Sequence, residues 1–440
     1  MEIFVRVIQL ILSLSILVII HEVGHFMFAK LFKCRVEKFY LFFDPYFSLY
    51  KKQVGETEYG VGWLPLGGYV KISGMIDESM DKEQLKQEPQ PWEFRSKPAW
   101  QRLLIMIGGV MNNVILACII YTGISFVWGD SYLPNKNLTY GVQVSEVAQK
   151  AGLQDGDKIV SIDGVAIDRF SDITKKILLE DAQTITVTRD QEQLKLNIPE
   201  GTVAELVSSK TSFVYPRMPF NGKVLNFSKG SPARNAGVNI KDSVVALDGQ
   251  KFAYYDQAVK YIESKAGQDV ALTFNHKGEV KNTTVTISEG GKLGVYYQPH
   301  QFKFEQIHYS FLQSIPRGIQ KGKATIVNYL KQLKLMGDPD TGAYKSVGGF
   351  ISIGKIFPGT WDWYSFWSMT ALLSVVLAVM NILPIPALDG GHVMFLMYEI
   401  ITRRKPSEKF LEYAQTIGMF LLFGLLLYAN GNDIIKLIFK

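Results

Sequence analysis

Residues 7–29 read VIQLILSLSILVIIHEVGHFMFA, an apolar run interrupted by an acid and two imidazoles. From Val7 to Ile20 no side chain is charged, and the helical apolar pattern runs on through Ala29. A bilayer core asks for about 20 apolar residues per helix, which this stretch supplies. Yet its second half carries His21, Glu22 and His25. A carboxylate at membrane depth costs about 2.5–3.5 kcal/mol on insertion scales, so Glu22 needs a compensating partner there. A signal peptide fits poorly: the apolar run is long, no A-x-A-like site follows it, and cleavage would fall beside the His21–His25 pair. The stretch is read as a retained span.

Working outward, residues 103–128, 363–388 and 413–432 are also uncharged and long enough to cross a bilayer, although Pro384 and Pro386 interrupt the end of the third. Four such lengths in one chain argue against buried helices of a soluble core. Lys30, Lys33, Arg35 and Lys38 follow the first span, Arg95, Lys97 and Arg102 precede the second, and Arg403, Arg404, Lys405 and Lys409 separate the third from the fourth. The positive-inside rule makes these loops cytoplasmic and puts both termini and the long segment between spans two and three outside. Lys436, near the far end, runs against that orientation.

The averages are consistent with this division. The 440 residues are 47% hydrophobic and 20% charged, with a mean hydropathy of +0.08, which excludes a disordered or low-complexity chain. The net charge of +6 is spread along the chain. No Lys/Arg stripe interleaved with aromatics exists, so no nucleic-acid partner is expected. Two cysteines, Cys34 in a cytoplasmic loop and Cys118 in a span, make no disulfide framework.

The segment from about 129 to 362 is a water-facing insert with an internal repeat. AGLQDGDKIVSIDG at 151–164 recurs as AGVNIKDSVVALDG at 236–249, 85 residues on. Each copy reads as a turn, a short β-branched strand and a D-G turn, followed by a helix near 170–179 and 255–264. The period is too long for a solenoid and suits two small tandem domains. Both copies resemble PDZ domains of the bacterial kind, which implies peptide capture by strand addition. Residues 142–147 and 223–227 are the expected edge strands. Residues 317–335 read as a basic amphipathic helix leading back to the membrane.

HEVGH at 21–25 places two imidazoles one turn apart on one helix face, where they can share a zinc ion. Glu22, beside them, is placed to take a proton from water at that metal. At ~1.5 Å per residue, His21 lies about 20 Å along the helix, inside the membrane toward the cytoplasmic side. Two histidines leave the metal short of a protein ligand. The candidate is Asp389 in NILPIPALDGGH, residues 381–392, where two prolines open the helix. Irregular backbone at membrane depth is tolerated only against protein or a wet cavity. His392 is the competing ligand. Asp389 is favoured because two His and one carboxylate leave a position open for water.

HEVGH and NILPIPALDG together resemble the site-2 protease family of intramembrane zinc metalloproteases, patterns H-E-x-x-H and N-x-x-P-x-P-x-L-D-G. The resemblance covers nearly the whole chain. It implies that His21, His25 and Asp389 ligate one Zn2+, that Glu22 is the catalytic base, and that Asn381 and Pro384 accommodate substrate. GVGWLPLGGYVK at 60–71 looks like the family's re-entrant β-loop, taken as 55–73, and GVMNN at 109–113 like its G-P-x-x-N element. Gly67, Gly68 and Asn113 are assigned to substrate binding on that basis. The chain is most similar to the Gram-negative branch with tandem extracytoplasmic PDZ domains. That similarity implies a bacterial inner membrane location, with both termini and the PDZ-like domains periplasmic. It also implies single-span substrates such as a pre-trimmed anti-sigma factor or a signal-peptide remnant, cut in the regulated intramembrane proteolysis of an envelope stress response. Three departures concern local loops: Val110 replaces Pro, Gly349 replaces a further Pro, and residues 42–45 lack the expected glycines.

The expected architecture is an α-helical polytopic membrane protein with four transmembrane helices, a cytoplasmic-side β-loop and two extracytoplasmic PDZ-like α+β domains. The parts are 1–128, 129–220, 221–309, 310–362 and 363–440. The expected partners are single-span membrane proteins, the lipid bilayer and peptide ligands of the PDZ-like domains. A silent membrane-anchored PDZ scaffold would tolerate Glu22→Gln and lose function through 142–147 or 223–227. A transporter using the intramembrane His and Asp would be expected to show a repeat between membrane halves, and none is present.

Overall fold

The protein is described by a computed structural model covering residues 1–65, 67–75, 88–220, 223–297 and 302–438; Leu66, within the expected β-loop, lies outside them. The chain divides into two compact units. The first comprises Met1–Asp130, Ile307–Gly337 and Tyr344–Lys440; the second comprises Ser131–Gln306 and Asp338–Ala343.

In the first unit, helix α1 (Glu2–Leu31) is followed by strands β1 (Val36–Leu41), β2 (Phe43–Val54), β3 (Thr57–Leu64) and β4 (Tyr69–Ile72), then helix α2 (Ala99–Val127). After the second unit come α3 (Phe311–Gly337), α4 (Phe350–Lys355), α5 (Trp363–Ile382), α6 (Asp389–Thr402) and α7 (Glu408–Ile438). Four of the described helices, α1, α2, α5 and α7, are long and apolar enough to cross a bilayer.

α1 is organised inside out relative to a soluble helix. Its buried stripe is Gln9, Ser13, Leu17, His21, Gly24, His25 and Ala29, while Ile3, Phe4, Val7, Ile8, Ile11 and Leu12 are exposed. In a bilayer the large apolar side chains meet lipid and the small and polar ones meet protein. The hydroxyl of Thr370 on α5 donates to Ser13 at 3.0 Å, and Ser374 donates to the Asn113 carbonyl of α2 at 2.7 Å. Gly24 faces Gly108 of α2 so closely that a Cβ on Gly24 would stand 2.2 Å from the Gly108 oxygen. The α1–α2 seam is therefore built on small residues. In the first turn of α2, Arg102 pairs with Glu399 of α6 at 2.5 Å, both largely buried.

The third span, expected over 363–388 with its end opened by two prolines, is shorter than that stretch. α5 stops at Ile382, and a new helix begins at Asp389. Proline offers no N–H to the helical ladder and fixes φ, so Pro384 and Pro386 enforce the break. The 14-residue helix α6 that follows had no counterpart among the expected elements.

The β-layer also differs from expectation. It starts at Val36 and has the order β2-β3-β1-β4. The expected strand edge at 60–71 is divided: 60–64 lie on β3, which is interior, paired with β2 on one side and β1 on the other, and 69–71 lie on β4. Among the described residues the edge strand beside the helices is β4, antiparallel to β1 with Phe39 opposite Val70.

In the second unit the two sequence repeats adopt the same succession of elements. β5 (Val142–Val144), β6 (Lys158–Ile162), the helix Ser171–Leu179 and the hairpin Thr184–Arg189/Glu192–Asn197 form the first, around a core that includes Ile159, Ile173, Ile185 and Val187. Val224–Phe227, Ser243–Leu247, the helix Tyr255–Ser264 and the hairpin Asp269–His276/Glu279–Thr286 form the second. The D-G turns are matched: Asp163 and Asp248 have φ of 47° and 48°, and Gly164 and Gly249 both have 76°. Positive φ at both positions is the type I′ hairpin turn. Asp163 and Asp248 each accept a neighbouring-strand N–H, from Thr184 and Ala271, at 2.7 Å.

The expected edge strand at 142–147 is shorter, because Ser145 caps a helix at Glu146–Lys150. It is also not open. One side pairs with Val214–Pro216; on the other, Val142 exchanges bonds with Gly156 and Asp157, and the Val144 N–H donates to Asp155. In the second repeat Val224 is bonded in the same way to Lys241 and Asp242.

Candidate metal centre

The centre is assembled from two ends of the chain. His21 and His25, four residues apart on α1, turn their Nε2 atoms toward each other at 3.2 Å, with rings nearly perpendicular. Asp389 arrives from the first residue of α6, immediately after the proline break. A helix N-terminus favours a carboxylate through its unpaired N–H groups. The tight return needs glycine: a Cβ on Gly390 would lie 2.1 Å from the Leu383 oxygen, and one on Gly391 2.7 Å from the Ile385 oxygen. Gln415 of α7 accepts from the Ala387 N–H at 3.2 Å and steadies the turn.

Asp389 Oδ2 lies 3.2 Å from His21 Nε2 and 3.4 Å from His25 Nε2. These approaches are close but lack hydrogen-bond geometry, and the oxygen is buried without a hydrogen-bond partner. Among the described residues this is the group of histidine and carboxylate side chains able to hold a metal. Three atoms at these separations are each about 1.9 Å from the centre of their triangle, so an ion slightly above the plane meets the ~2.0–2.1 Å of zinc–nitrogen and zinc–carboxylate bonds. Two neutral imidazoles and a carboxylate converging on one point, with an orphaned oxygen among them, fit zinc. His25 is held in the required tautomer by donating from Nδ1 to the Ile105 carbonyl of α2 at 2.9 Å, which leaves Nε2 free as a ligand.

A cavity of about 690 Å³ opens onto this triangle. His21, Glu22, His25 and Asp389 share its wall with Asn381 of α5 and with Gly67, Gly68 and all of β4. Glu22 interacts with the Val70 backbone amide of β4, and a Cβ on Gly68 would lie 3.7 Å from Glu22 Cγ and 2.6 Å from Val18 of α1. Glycine at 68 thus lets the sheet edge lie against the helix turn that carries the acid. β4 is braced from behind: Tyr69 stacks on Tyr40 and Phe43, with centroids 5.3 and 6.2 Å away, and donates to Asp44 at 2.9 Å. Burial and that hydrogen bond push the Tyr69 phenol well above its ordinary value.

Of the residues expected in substrate binding, Gly67, Gly68 and Asn381 are on the cavity wall, with Asn381 Nδ2 3.3 Å from His21 Nε2. Pro384 and Asn113 are not. Asn113 is fully buried behind His21. His392, the competing ligand, lines the cavity but is outside the metal triangle. Sequence reasoning placed Gly109 in the GVMNN element without giving it a role; a Cβ there would stand 2.4 Å from His25 Nε2 and 2.7 Å from His21 Cε1. The signal available was the Gly108-Gly109 pair on a span otherwise rich in large apolar residues.

Residues 9–425 match the profile of peptidase family M50. Over 461 residues the chain is 28% identical to a Vibrio cholerae protein named "Putative zinc metalloprotease", covering 98% of each. It is 29% identical over 440 residues to a Rickettsia conorii protein of the same description, covering 97% of this chain and 98% of that one. It is 28% identical over 455 residues to the "Regulator of sigma E protease" of Haemophilus influenzae, with 97% and 98% covered.

Proposed function

This chain belongs to peptidase family M50 and is a zinc metalloprotease, and from that premise we propose that it cuts single-span membrane proteins in or near their transmembrane segment. The observation that carries this reading is the convergence of His21, His25 and Asp389 on one point beside Glu22, at the break of a helix able to cross a membrane. A zinc ion held there would polarise the scissile carbonyl and make water nucleophilic at neutral pH.

The chain's own groups do the rest. Glu22 takes the proton of the attacking water and passes it to the leaving amine. β4 is an edge strand along the cavity, so an unwound substrate segment exchanges its helical hydrogen bonds for bonds to the sheet edge. Asn381, which also lines the cavity, orients the segment. The proline break and the cavity bring water to a depth that lipid would otherwise keep dry.

The substrate in this reading is an anti-sigma factor-like protein or a signal-peptide remnant already trimmed outside the membrane, cut as a step in an envelope stress response. The protein sits in a bacterial inner membrane, with termini and repeats periplasmic and the site toward the cytoplasm. The repeats are PDZ-like, and the bonds already made by Val142, Val144 and Val224 favour a steric filter over strand-adding peptide capture.

The test is reconstitution of the purified full chain with a single-span reporter. Cleavage that stops on chelation and returns with zinc supports the reading. Cleavage indifferent to chelation, with no metal bound, overturns it.

A further inference from the structure

The ring of His21 has two nitrogens, and the reading above uses one of them. With Nε2 turned to the metal, Nδ1 carries the proton and must donate it, because a buried donor left unpaired forfeits its hydration with nothing in return. The neighbour of Nδ1 is Asn113 of α2, whose amide Nδ2 stands 3.2 Å away and whose Oδ1 is buried with no hydrogen-bond partner. Two donors facing each other make no bond. The amide oxygen and nitrogen of asparagine have the same shape, so a half-turn of the amide exchanges them. Turned so, Oδ1 accepts from His21 Nδ1–H, and the amide nitrogen moves to the place where the oxygen had no partner.

Resting on the zinc-site reading, we propose that Asn113 is a positioning residue for the metal: its side-chain oxygen fixes the tautomer and ring orientation of His21. Asn113 is fully buried and absent from the cavity wall, so it acts on the imidazole and not on substrate. The pairing is symmetrical in purpose with that of His25, whose Nδ1 donates to the Ile105 carbonyl. Both acceptors come from α2, eight residues apart. The close α1–α2 seam at Gly24, Gly108 and Gly109 keeps that helix near enough to serve both rings. One helix with no metal ligand of its own thereby orients both histidine ligands. The Asn113 backbone is held in turn by Ser374 of α5, which donates to its carbonyl at 2.7 Å.

The experiment measures zinc affinity of the detergent-purified full chain by competition with a chromogenic chelator, independently of proteolysis. Asn113→Ala is expected to weaken zinc binding by about 10–100-fold, the usual cost of losing such a partner. Asn113→Asp, which keeps an acceptor oxygen, is expected to restore most of that affinity. If the alanine protein is not monodisperse, Asn113→Leu, which fills the space without an acceptor, takes its place. Unchanged affinity in Asn113→Ala or Asn113→Leu overturns the proposal, as does equal weakening in Asn113→Asp, which would mark a packing role. Absence of zinc from the unsubstituted chain would instead sink the zinc-site reading itself, and this proposal with it.

Discussion

Gly109→Ala adds one methyl group to a helix that carries no metal ligand, and it is predicted to destroy the metal site. The added carbon would stand 2.4 Å from His25 Nε2, against 3.4 Å for ordinary contact, so about 1 Å of displacement must be absorbed. His21 Cε1 at 2.7 Å closes the alternative direction. Metal–ligand distances tolerate about 0.2 Å, and a 1 Å misplacement at a reacting centre costs roughly 100-fold. The expected outcome is a folded protein whose zinc affinity and cleavage of a single-span reporter both fall by roughly 100-fold or more. Gly123→Ala, on the same helix with nothing within 4 Å of the added carbon, is the control and should retain both. The assay pairs metal content after gel filtration with reporter cleavage in the same preparation. A Gly109→Ala protein that binds zinc and cleaves within a few-fold of the unsubstituted chain would refute the geometric reasoning.

Other expectations separate the parts of the site. Gly68→Val, whose side chain would press on Val18 and the Tyr40 carbonyl, should push β4 off α1 and lower cleavage with zinc content unchanged; loss of zinc would contradict the assignment of β4 to substrate. Arg102→Ala leaves Glu399 buried and unpaired, and should destabilise the membrane unit by about 3–5 kcal/mol in a thermal or denaturant assay. Replacing both Arg102 and Glu399 by Met should recover most of that loss. In the second unit, hydrogen bonds from the Ala271 N–H and the Tyr261 hydroxyl hold the Asp248 carboxyl below its ordinary range. A lowered folded-state value gives stability that is present above about pH 4 and lost as pH falls through that value. The melting temperature should therefore drop on acidification from about pH 5 to about pH 3, and drop less in Asp248→Asn.

What the sequence made legible follows from the range of the interactions involved. HEVGH is a local pattern: four residues on one helix set the His21–His25 approach. The D-G turns are equally local, since Asp163-Gly164 and Asp248-Gly249 need only their own φ values. Pro384 and Pro386 announced the break for the same reason, but α6 beyond it could not be told from the end of a single apolar span. The β-layer was harder. β1 and β2, which contain Phe39, Tyr40 and Phe43, are aromatic stretches without the glycines that marked 60–71, and sheet order is a long-range property that no local run encodes. The glycine-marked stretch 60–71 takes in parts of both β3 and β4, and only the pairing order tells that β4 is the edge. Gly109 and Asn113 stood out only through the resemblance of GVMNN to a family element, because what they touch is set by what α1 places opposite them.

The most direct measurement is the fate of a single-span reporter reconstituted with the unsubstituted chain and with Glu22→Gln, products sized and sequenced by mass spectrometry and zinc counted in the same samples. The account predicts a cut within or near the reporter's membrane segment for the former, and an uncut reporter with zinc still bound for the latter. Continued cleavage by Glu22→Gln at the same bond would contradict it.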